Sequence, residues 1–154
     1  MTAYFLDSSA LLKRYISEIG SSWITSLSTP GFGHDLVIAH ITLTELVSGV
    51  MRRKREGTLT VADAQSLRLL IDHDAQQEYI VMGLTARIVH RAEDLLEAHA
   101  LRAYDAVQLA TALESHHILS QRVSSQIIFV SADQRLLTVA ATEGLQTDDP
   151  NAHP

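Results

Sequence analysis

The sequence contains no cysteine, and this absence excludes several kinds of chemistry. Disulfide bonds, cysteine-ligated zinc, iron–sulfur clusters and thiol catalysis all require that side chain. A chain without disulfides suits a reducing compartment, so we expect a cytoplasmic protein. Glycine and proline are also scarce, with 7 and 3 among 154 residues, while 46% of the residues are hydrophobic. These proportions are typical of one ordinary globular domain.

Long apolar runs are missing as well. No segment reaches the ~18 uncharged apolar residues that a membrane-spanning helix needs. The first residues also lack the basic start of an export signal. We therefore expect an unexported protein with no membrane partner.

Positive charge is in the minority, with 12 Lys and Arg against 18 Asp and Glu and a net charge of −6. This balance argues against tight non-specific binding of nucleic acid. Two local basic patches remain, the run 52–55 and the pair Lys13 and Arg14, whereas Asp148 and Asp149 are acidic. We interpret the run 52–55 as the solvated end of a helix, where cations are favoured, and leave open a role in holding substrate.

Short apolar runs alternate with longer helical stretches, which predicts a parallel sheet with crossover helices. Strands are predicted at 3–6, 36–39, 79–82 and 127–130, with a fifth after Gly144. Helices are predicted at 9–18, 22–27, 43–55, 62–73, 86–98, 106–116 and 134–143. Thr60 is the expected cap of the fourth helix, and Gly144 suits the left-handed position after the last one.

Two acids directly follow predicted strands. Asp7 comes after the run 3–6, where the chain turns into a helix and a carboxylate commonly accepts backbone N–H bonds. Asp133 comes after the run 127–130, with Ser131 as the expected cap of the next helix and Asp133 in its first turn. Taken alone, each acid has a sufficient structural explanation.

Two further acids belong to predicted helices. Glu45 comes three residues after Thr42, which is the spacing of a capping box. Gly49, one turn later on the same face, would leave space beside the Glu45 carboxylate. This space favours a functional role about as strongly as the capping-box spacing favours a structural one. Asp105 opens an otherwise apolar helix, where the helix dipole alone would favour an acid.

The four acids taken together point to a site. In an open parallel sheet, the carboxyl ends of the strands and the N-termini of the following helices share one edge, where ligands bind. Four carboxylates gathered there would repel each other unless cations neutralised them. Oxygen-only ligands favour Mg²⁺ or Mn²⁺ over Zn²⁺. We therefore predict one catalytic and metal-binding pocket formed by Asp7, Glu45, Asp105 and Asp133.

Four segments carry a family resemblance through their order and spacing. They are residues 5–13, 42–46, 101–110 and 129–145. Together they resemble the PIN-domain family, and more narrowly the VapC-type ribonuclease toxins of toxin–antitoxin pairs. The resemblance implies an α/β fold of three layers, α/β/α, around a central parallel sheet of four or five strands. It also implies a single PIN-like domain over residues 1–147, with residues 148–154 as a C-terminal tail.

The same resemblance implies an activity and partners. The activity is Mg²⁺- or Mn²⁺-dependent endonucleolytic cleavage of RNA, with the four acids at the family's acidic positions and an antitoxin protein as partner. Some relatives carry a further acid after the fourth, whereas residues 134–137 are Gln, Arg, Leu and Leu, so a second metal is left open. A solitary RNA-processing nuclease and a non-catalytic PIN-like interaction domain remain alternatives.

Two other classes of protein fit less well. A phosphatase that used Asp7 as nucleophile would need a second acid where Ser9 stands. A receiver-like signalling module would need an acid at the end of the middle strand, where Met82 and Gly83 stand. Both interpretations therefore lack a residue on which they depend.

Several other residues are given supporting or structural roles. Ser8 and Ser131 are expected to hold water or phosphate beside the acids, Ser8 foremost. His116 and His117 are adjacent, point to different faces of a helix and are expected at the surface. His40 is expected to bond to backbone at a strand end.

The aromatic and apolar residues of the early helices lead to one more expectation. Trp23, Tyr15, Phe5 and Phe129 are expected in a core or an interface rather than as base-stacking platforms. Two short early helices are unusually rich in apolar side chains, so we also predict a homodimer. The residues concerned are Leu11, Leu12, Tyr15, Ile16 and Trp23.

Overall fold

The computed structural model describes residues 2–29, 31–122 and 126–154, and they form a five-stranded parallel sheet with helices on both faces. The strands are β1 (Ala3–Leu6), β2 (Asp35–Ala39), β3 (Tyr79–Met82), β4 (Ile127–Val130) and β5 (Gln146–Asp148). The helices of this described part are α1 (Ser8–Tyr15), α2 (Ser21–Leu27), α3 (His40–Arg55), α4 (Val61–Gln77), α5 (Ala86–Ala98), α6 (Ala103–Arg122) and α7 (Gln134–Thr142), followed by a 3-10 turn (Pro150–Ala152). The predicted three-layer α/β/α fold is confirmed.

The strand order is β3-β2-β1-β4-β5, and every neighbouring pair is parallel. The chain moves outward from β1 to β3 and then returns to place β4 on the other side of β1. The order therefore reverses between β1 and β4, where Leu6 pairs with Val130. The crevice beyond the carboxyl ends of such strands is the usual ligand site of an open parallel sheet.

Two hydrophobic clusters form the core, one on each face of the sheet, because successive strand residues point to opposite faces. On one face Phe5 and Phe129 stack with ring centroids 5.8 Å apart and pack with α5, α6 and α7. On the other face Leu6 and Ile38 pack with α1, α2, α3 and α4. Packing on both faces of the sheet holds β1 and β4 in place, so the end of each strand is a rigid support for the residues that follow it.

Most predicted boundaries are close to those observed. The strands at 3–6, 79–82 and 127–130 and the helix at 86–98 are confirmed without change. The fifth strand follows Gly144, whose φ of 93° is left-handed, and Thr60 caps α4 in a complete capping box with Asp63. The largest shifts are at α6, which is longer at both ends, and at α4, which ends four residues later than predicted, while α3 begins three residues early.

The prediction of a positive patch at Lys13 and Arg14 is wrong. Lys13 is buried and lies 3.2 Å from Glu18, while Arg14 lies 2.7 Å from Glu78 and 3.4 Å from Asp74. Their charges are therefore neutralised inside the chain. The interpretation of 52–55 as a helix end is confirmed, because these residues form the last turn of α3.

The residues used to predict a homodimer are largely occupied within the chain. Leu11 and Tyr15 are buried in the core, and Leu12, Ile16 and Trp23 pack against it. They therefore provide little free apolar surface for a second copy.

The last residues pack against the domain. β5 ends at Asp148, the backbone of Pro150 lies against Gly20, and the ring of His153 stacks on Trp23 at 4.1 Å. The segment 148–154, predicted as a tail, thus covers part of α2. Within residues 2–29, 31–122 and 126–154, no helix is both long and apolar enough to cross a membrane.

Candidate active site

Asp7 lies at the end of β1, where the order of the strands reverses. Its carboxylate caps α1 by accepting a hydrogen bond from Ala10 N at 2.9 Å. Ser9 Oγ donates to the same carboxylate at 2.7 Å, and Ser131 Oγ donates from the end of β4 at 2.6 Å. The side chain of Asp7 is therefore held by both strands that flank the crevice.

Burial raises the pKa of Asp7 to about 6, although the hydrogen bonds from Ser131, Ser9 and Ala10 oppose this effect. The negative charge of Asp105 adds to the increase. A buried carboxylate with an acidic neighbour and a raised pKa is typical of a functional site.

Asp133 is the cap of α7 rather than a first-turn residue, which corrects the prediction that Ser131 caps this helix. Asp133 Oδ1 accepts hydrogen bonds from Arg135 N at 2.9 Å and Leu136 N at 3.3 Å. Ser131 instead joins the two acids, because its hydroxyl donates to Asp7 and accepts from Asp133 N. One Asp133 oxygen is thereby oriented by backbone, and the carboxylate stays exposed to solvent.

Glu45 lies in the second turn of α3, and the predicted capping box is wrong. Helix α3 begins at His40, so Thr42 is already inside the helix and its hydroxyl bonds to Gln108 of α6. Gln108 Nε2 also donates to Glu45 at 2.8 Å. A buried amide thus ties Glu45 to the helix that carries Asp105.

The space predicted beside Gly49 is partly filled. A Cβ atom at Gly49 would come within 3.1 Å of the side chain of Leu12, so glycine there permits close packing of α1 on α3. Gly49 still lines the cleft that contains Glu45. The lack of a side chain at Gly49 therefore lets α1 pack closely on α3 and also keeps this part of the cleft open.

Asp105 lies in the first turn of α6 and is the centre of the electrostatic coupling. Burial raises its pKa, and the charges of Asp133 and Glu45 raise it further, while Arg102 opposes them. The negative charge of Asp105 in turn raises the pKa of Asp7. The four predicted acids therefore share one electrostatic environment at the carboxyl edge of the sheet.

The donor set fits a hard divalent cation. Within the described ranges, the Asp105 carboxylate accepts no hydrogen bond, so both of its oxygens can take a ligand. In the same ranges no three acidic or histidine side chains already stand close enough together to hold one ion. Magnesium usually takes only one or two protein carboxylates and keeps several waters, so an ion here would bind one or two of the four acids directly and the others through water.

Two clefts flank the acids. The first, of about 440 Å³, is lined by Ser8, Glu45, Ser48, Arg52 and Tyr104 among others, and we call it the Glu45 cleft. The second, of about 350 Å³, is lined by Arg102, Asp105, Asp133 and Arg135 among others, and we call it the Asp133 cleft. A larger groove of about 660 Å³ lies between α5 and α6, away from the acids.

Sequence reasoning missed two residues that position the acids. Ser9, rather than the predicted Ser8, bonds to Asp7; Ser8 lines the Glu45 cleft. Gln108 was detectable as a polar residue in an apolar helix, one turn after Asp105. His40 is exposed at the start of α3, and the prediction that it bonds to backbone is not supported in the described residues.

The predicted surface position is only half correct for the histidine pair. His117 is exposed, as expected. His116 is half-buried, and its Nδ1 accepts a long hydrogen bond of 3.4 Å from Ile127 N at the start of β4. Neither residue lies near the four acids in the clefts described above.

Solved structures with similar folds extend over nearly the whole chain. PAE2754 from Pyrobaculum aerophilum is 18% identical, with 98% of this chain and 91% of that chain covered and a TM-score of 0.67. VapBC2 from Rickettsia felis, solved bound to a promoter DNA fragment, is 14% identical, with 96% and 98% covered and a TM-score of 0.65. VapBC-1 from nontypeable Haemophilus influenzae is 15% identical, with 97% and 98% covered and a TM-score of 0.62.

At such low identities, these structures establish the fold alone. No curated protein sequence matches the chain significantly. Residues 4–141, however, match the PIN domain. Because this match covers most of the sequence, the chain belongs to the PIN domain family.

Proposed function

We propose that this chain is a metal-dependent endoribonuclease that hydrolyses RNA phosphodiester bonds and acts as the toxin of a type II toxin–antitoxin pair. PIN domains are generally nucleases. The observation that carries the proposal is the coupling of Asp105 to Glu45, Asp133 and Asp7 at the reversal of strand order. Helix capping accounts for Asp7 and Asp133 one at a time. It does not account for the grouping of the acids, because like charges placed together repel and oppose folding.

Asp7, Glu45, Asp105 and Asp133 are the residues that would hold Mg²⁺ or Mn²⁺. A divalent cation bound there would supply Lewis acidity toward the scissile phosphate and lower the pKa of the attacking water. In-line attack by that water would leave a 5′-phosphate and a 3′-hydroxyl. The carboxylates act as ligands and do not become nucleophiles.

The surrounding residues keep the acids in position. Ser9 and Ser131 hold Asp7, while Gln108 holds Glu45 beside α6. Backbone N–H groups orient Asp133. Carboxylates fixed in this way need little reorganisation when a phosphate arrives, which favours catalysis.

The partner proposal is supported by the similar structures. VapBC and FitAB complexes are among the folds that match most of this chain. We infer a cognate antitoxin of the same kind. A homodimer stays a prediction, and a concentration-independent monomer mass in sedimentation would contradict it.

Cleavage of a labelled single-stranded RNA with and without Mg²⁺ tests the activity. Asp105→Asn should reduce Mg²⁺-dependent cleavage by about a hundredfold or more, since a cation's Lewis acidity is worth several kcal/mol. Asp63→Asn is the matched control, because Asp63 is also a first-turn acid but belongs to α4. Equal activity of both variants and the parent would reject the site, and no cleavage by the parent would favour a non-catalytic domain.

Expression in a bacterial host tests the toxin role. The chain should arrest growth, Asp105→Asn should not, and co-expression of a short neighbouring reading frame should relieve the arrest. Cleavage without growth arrest or a neighbouring antitoxin gene would instead favour a solitary RNA-processing nuclease.

A further inference from the structure

The arginines of this protein fall into two groups. Among those with described side chains, five lie 2.7 to 3.4 Å from a carboxylate oxygen. They are Arg14, Arg53, Arg68, Arg87 and Arg91. Four others have no such partner within the described residues, although acids outnumber bases in the chain. These four are Arg52, Arg55, Arg102 and Arg135.

Three of those four unpaired arginines line the clefts beside the acids. Arg52 lies in the Glu45 cleft, whereas Arg102 and Arg135 lie in the Asp133 cleft. The larger groove between α5 and α6 differs, because its arginines Arg87 and Arg91 are both paired with glutamates. Positive charge is therefore left available on the two sides of the acidic site in particular.

Tyr104 is the second unusual residue. It directly precedes Asp105, lines the Glu45 cleft and is 55% exposed. Its hydroxyl makes no hydrogen bond to any described residue. An exposed aromatic ring beside a phosphodiester-cleaving centre is suited to stack on an unpaired base, and every base has a face for such stacking.

Resting on the proposed nuclease function, we infer that single-stranded RNA crosses the acids from the Glu45 cleft to the Asp133 cleft. One base stacks on Tyr104, Arg52 pairs with a phosphate on that side, and Arg102 and Arg135 pair with phosphates on the other. A duplex is disfavoured because its bases are already stacked and paired. Tyr104 and the three arginines are thus positioning residues, distinct from the four acids.

Binding of a fluorescent single-stranded oligoribonucleotide to the Asp105→Asn variant in chelator measures this path without cleavage. In that background Tyr104→Leu should weaken binding about tenfold, because one base–aromatic stack is lost. Tyr104→Phe should keep the affinity, since stacking needs the ring and not the hydroxyl. Phe32→Leu, at an exposed aromatic residue outside both clefts, is the control.

The arginine half of the inference is tested by salt dependence. Log affinity falls as log salt concentration rises. Arg52→Gln should make this negative slope shallower by about 0.7, the value for one phosphate contact on a single strand. Arg55→Gln is the matched control, because Arg55 is also unpaired and lies in the same helix turn but lines neither cleft. It should leave the slope unchanged.

In cleavage by the otherwise unaltered chain, Tyr104→Leu should raise KM more than it lowers kcat, because stacking is equal in the ground and transition states. Equal weakening by Phe and Leu at position 104, or equal slope changes for Arg52→Gln and Arg55→Gln, would overturn the inference. Unchanged RNA binding in all variants would also overturn it and assign the clefts to another class of macromolecule. Failure of the proposed function is seen separately, as absence of cleavage by the parent.

Discussion

Two carboxylates among the described residues are almost completely buried, and their surroundings are opposite. Asp74 is 2% exposed, lies 3.4 Å from the Arg14 guanidinium and accepts a hydrogen bond from Tyr15 Oη at 2.9 Å. Asp7 is 4% exposed, has no cationic partner among the described residues and has Asp105 nearby instead. A buried charge paired with a cation is a structural element, whereas a buried charge next to another acid indicates function.

The network around Asp74 is complete. Arg14 also contacts Glu78 and donates to Tyr79 Oη at 2.6 Å. Burial raises the pKa of Tyr15, and burial raises the pKa of Tyr79 to about 12, so both phenols stay protonated. This network joins α1, α4 and β3 at the edge of the sheet opposite the acids.

Removal of the two buried charges should therefore have unequal effects on stability. Asp74→Ala should lower the free energy of unfolding by about 3 kcal/mol, because it removes a buried acceptor of Tyr15 and one of the two carboxylates that neutralise Arg14. At about pH 4, where the Asp7 carboxyl is protonated, Asp7→Asn should change the free energy of unfolding by less than about 1 kcal/mol, since asparagine caps a helix as well as aspartate does. Urea denaturation measures both values. Equal losses would mean that Asp7 is structural as well.

Asp7 should make a separate contribution to the pH dependence of stability. Its pKa is raised to about 6 in the folded protein, so the folded state binds the proton more tightly than the unfolded chain. Stability from this group is full below the unfolded value near 4 and is lost as pH rises through about 6, by about 3 kcal/mol in total. Asp7→Asn should remove this difference.

Urea denaturation of parent and Asp7→Asn at several values between pH 4 and pH 7 isolates the contribution of Asp7. Every other ionisable group is present in both proteins, so the difference between the two curves reports Asp7 together with its coupling to Asp105. Parallel curves would contradict the raised pKa.

The effect of Mg²⁺ on stability should also differ between variants of the two buried acids. The ion binds the folded acidic site and hardly the unfolded chain, so it should stabilise the parent by about 2.7 kcal/mol at a hundredfold excess over Kd. Asp74→Ala should keep this increment in spite of its lower Tm, whereas Asp7→Asn should lose most of it. Thermal denaturation with Mg²⁺ and with chelator gives the increments. A loss of the increment in Asp74→Ala would show that the two regions are coupled.

The sequence predicted the fold well where local patterns decide it. Continuous apolar runs bounded by polar residues defined β1, β3 and β4 to the residue. The start of α3 was missed because Thr42 has a long-range partner, Gln108, which a local capping pattern cannot reveal. The positive patch was wrong at Arg14 for the same reason, since its partners Asp74 and Glu78 are distant in the sequence. At Lys13 the partner is local, because Glu18 lies only five residues away.

The candidate site was predictable in part. The four acids were selected from the sequence because strand ends converge in an open parallel sheet, and their role as one site stays a prediction. Ser9 and Gln108 were missed because their roles depend on side-chain geometry. The free arginines were not distinguishable either, because pairing with distant acids decides which of them stay available.

The smallest predicted effect compares two acids that occupy equivalent helix positions. Asp63 and Asp105 both lie in the first turn of a helix, where the dipole favours negative charge. Hydrogen bonds from the Thr60 side chain and backbone lower the pKa of Asp63, whereas burial and then Asp133 and Glu45 raise the pKa of Asp105. Ionised Asp63 therefore contributes stability above its unfolded pKa, and ionised Asp105 opposes folding there. In chelator at pH 7, Asp63→Asn should lower the Tm, while Asp105→Asn should raise it. The corresponding gain in the free energy of unfolding for Asp105→Asn should be under about 1 kcal/mol, because solvent screens a half-exposed group. Differential scanning calorimetry measures both changes. If both variants melt below the parent, Asp105 is a helix-end acid like Asp63, and the acidic site loses its electrostatic basis.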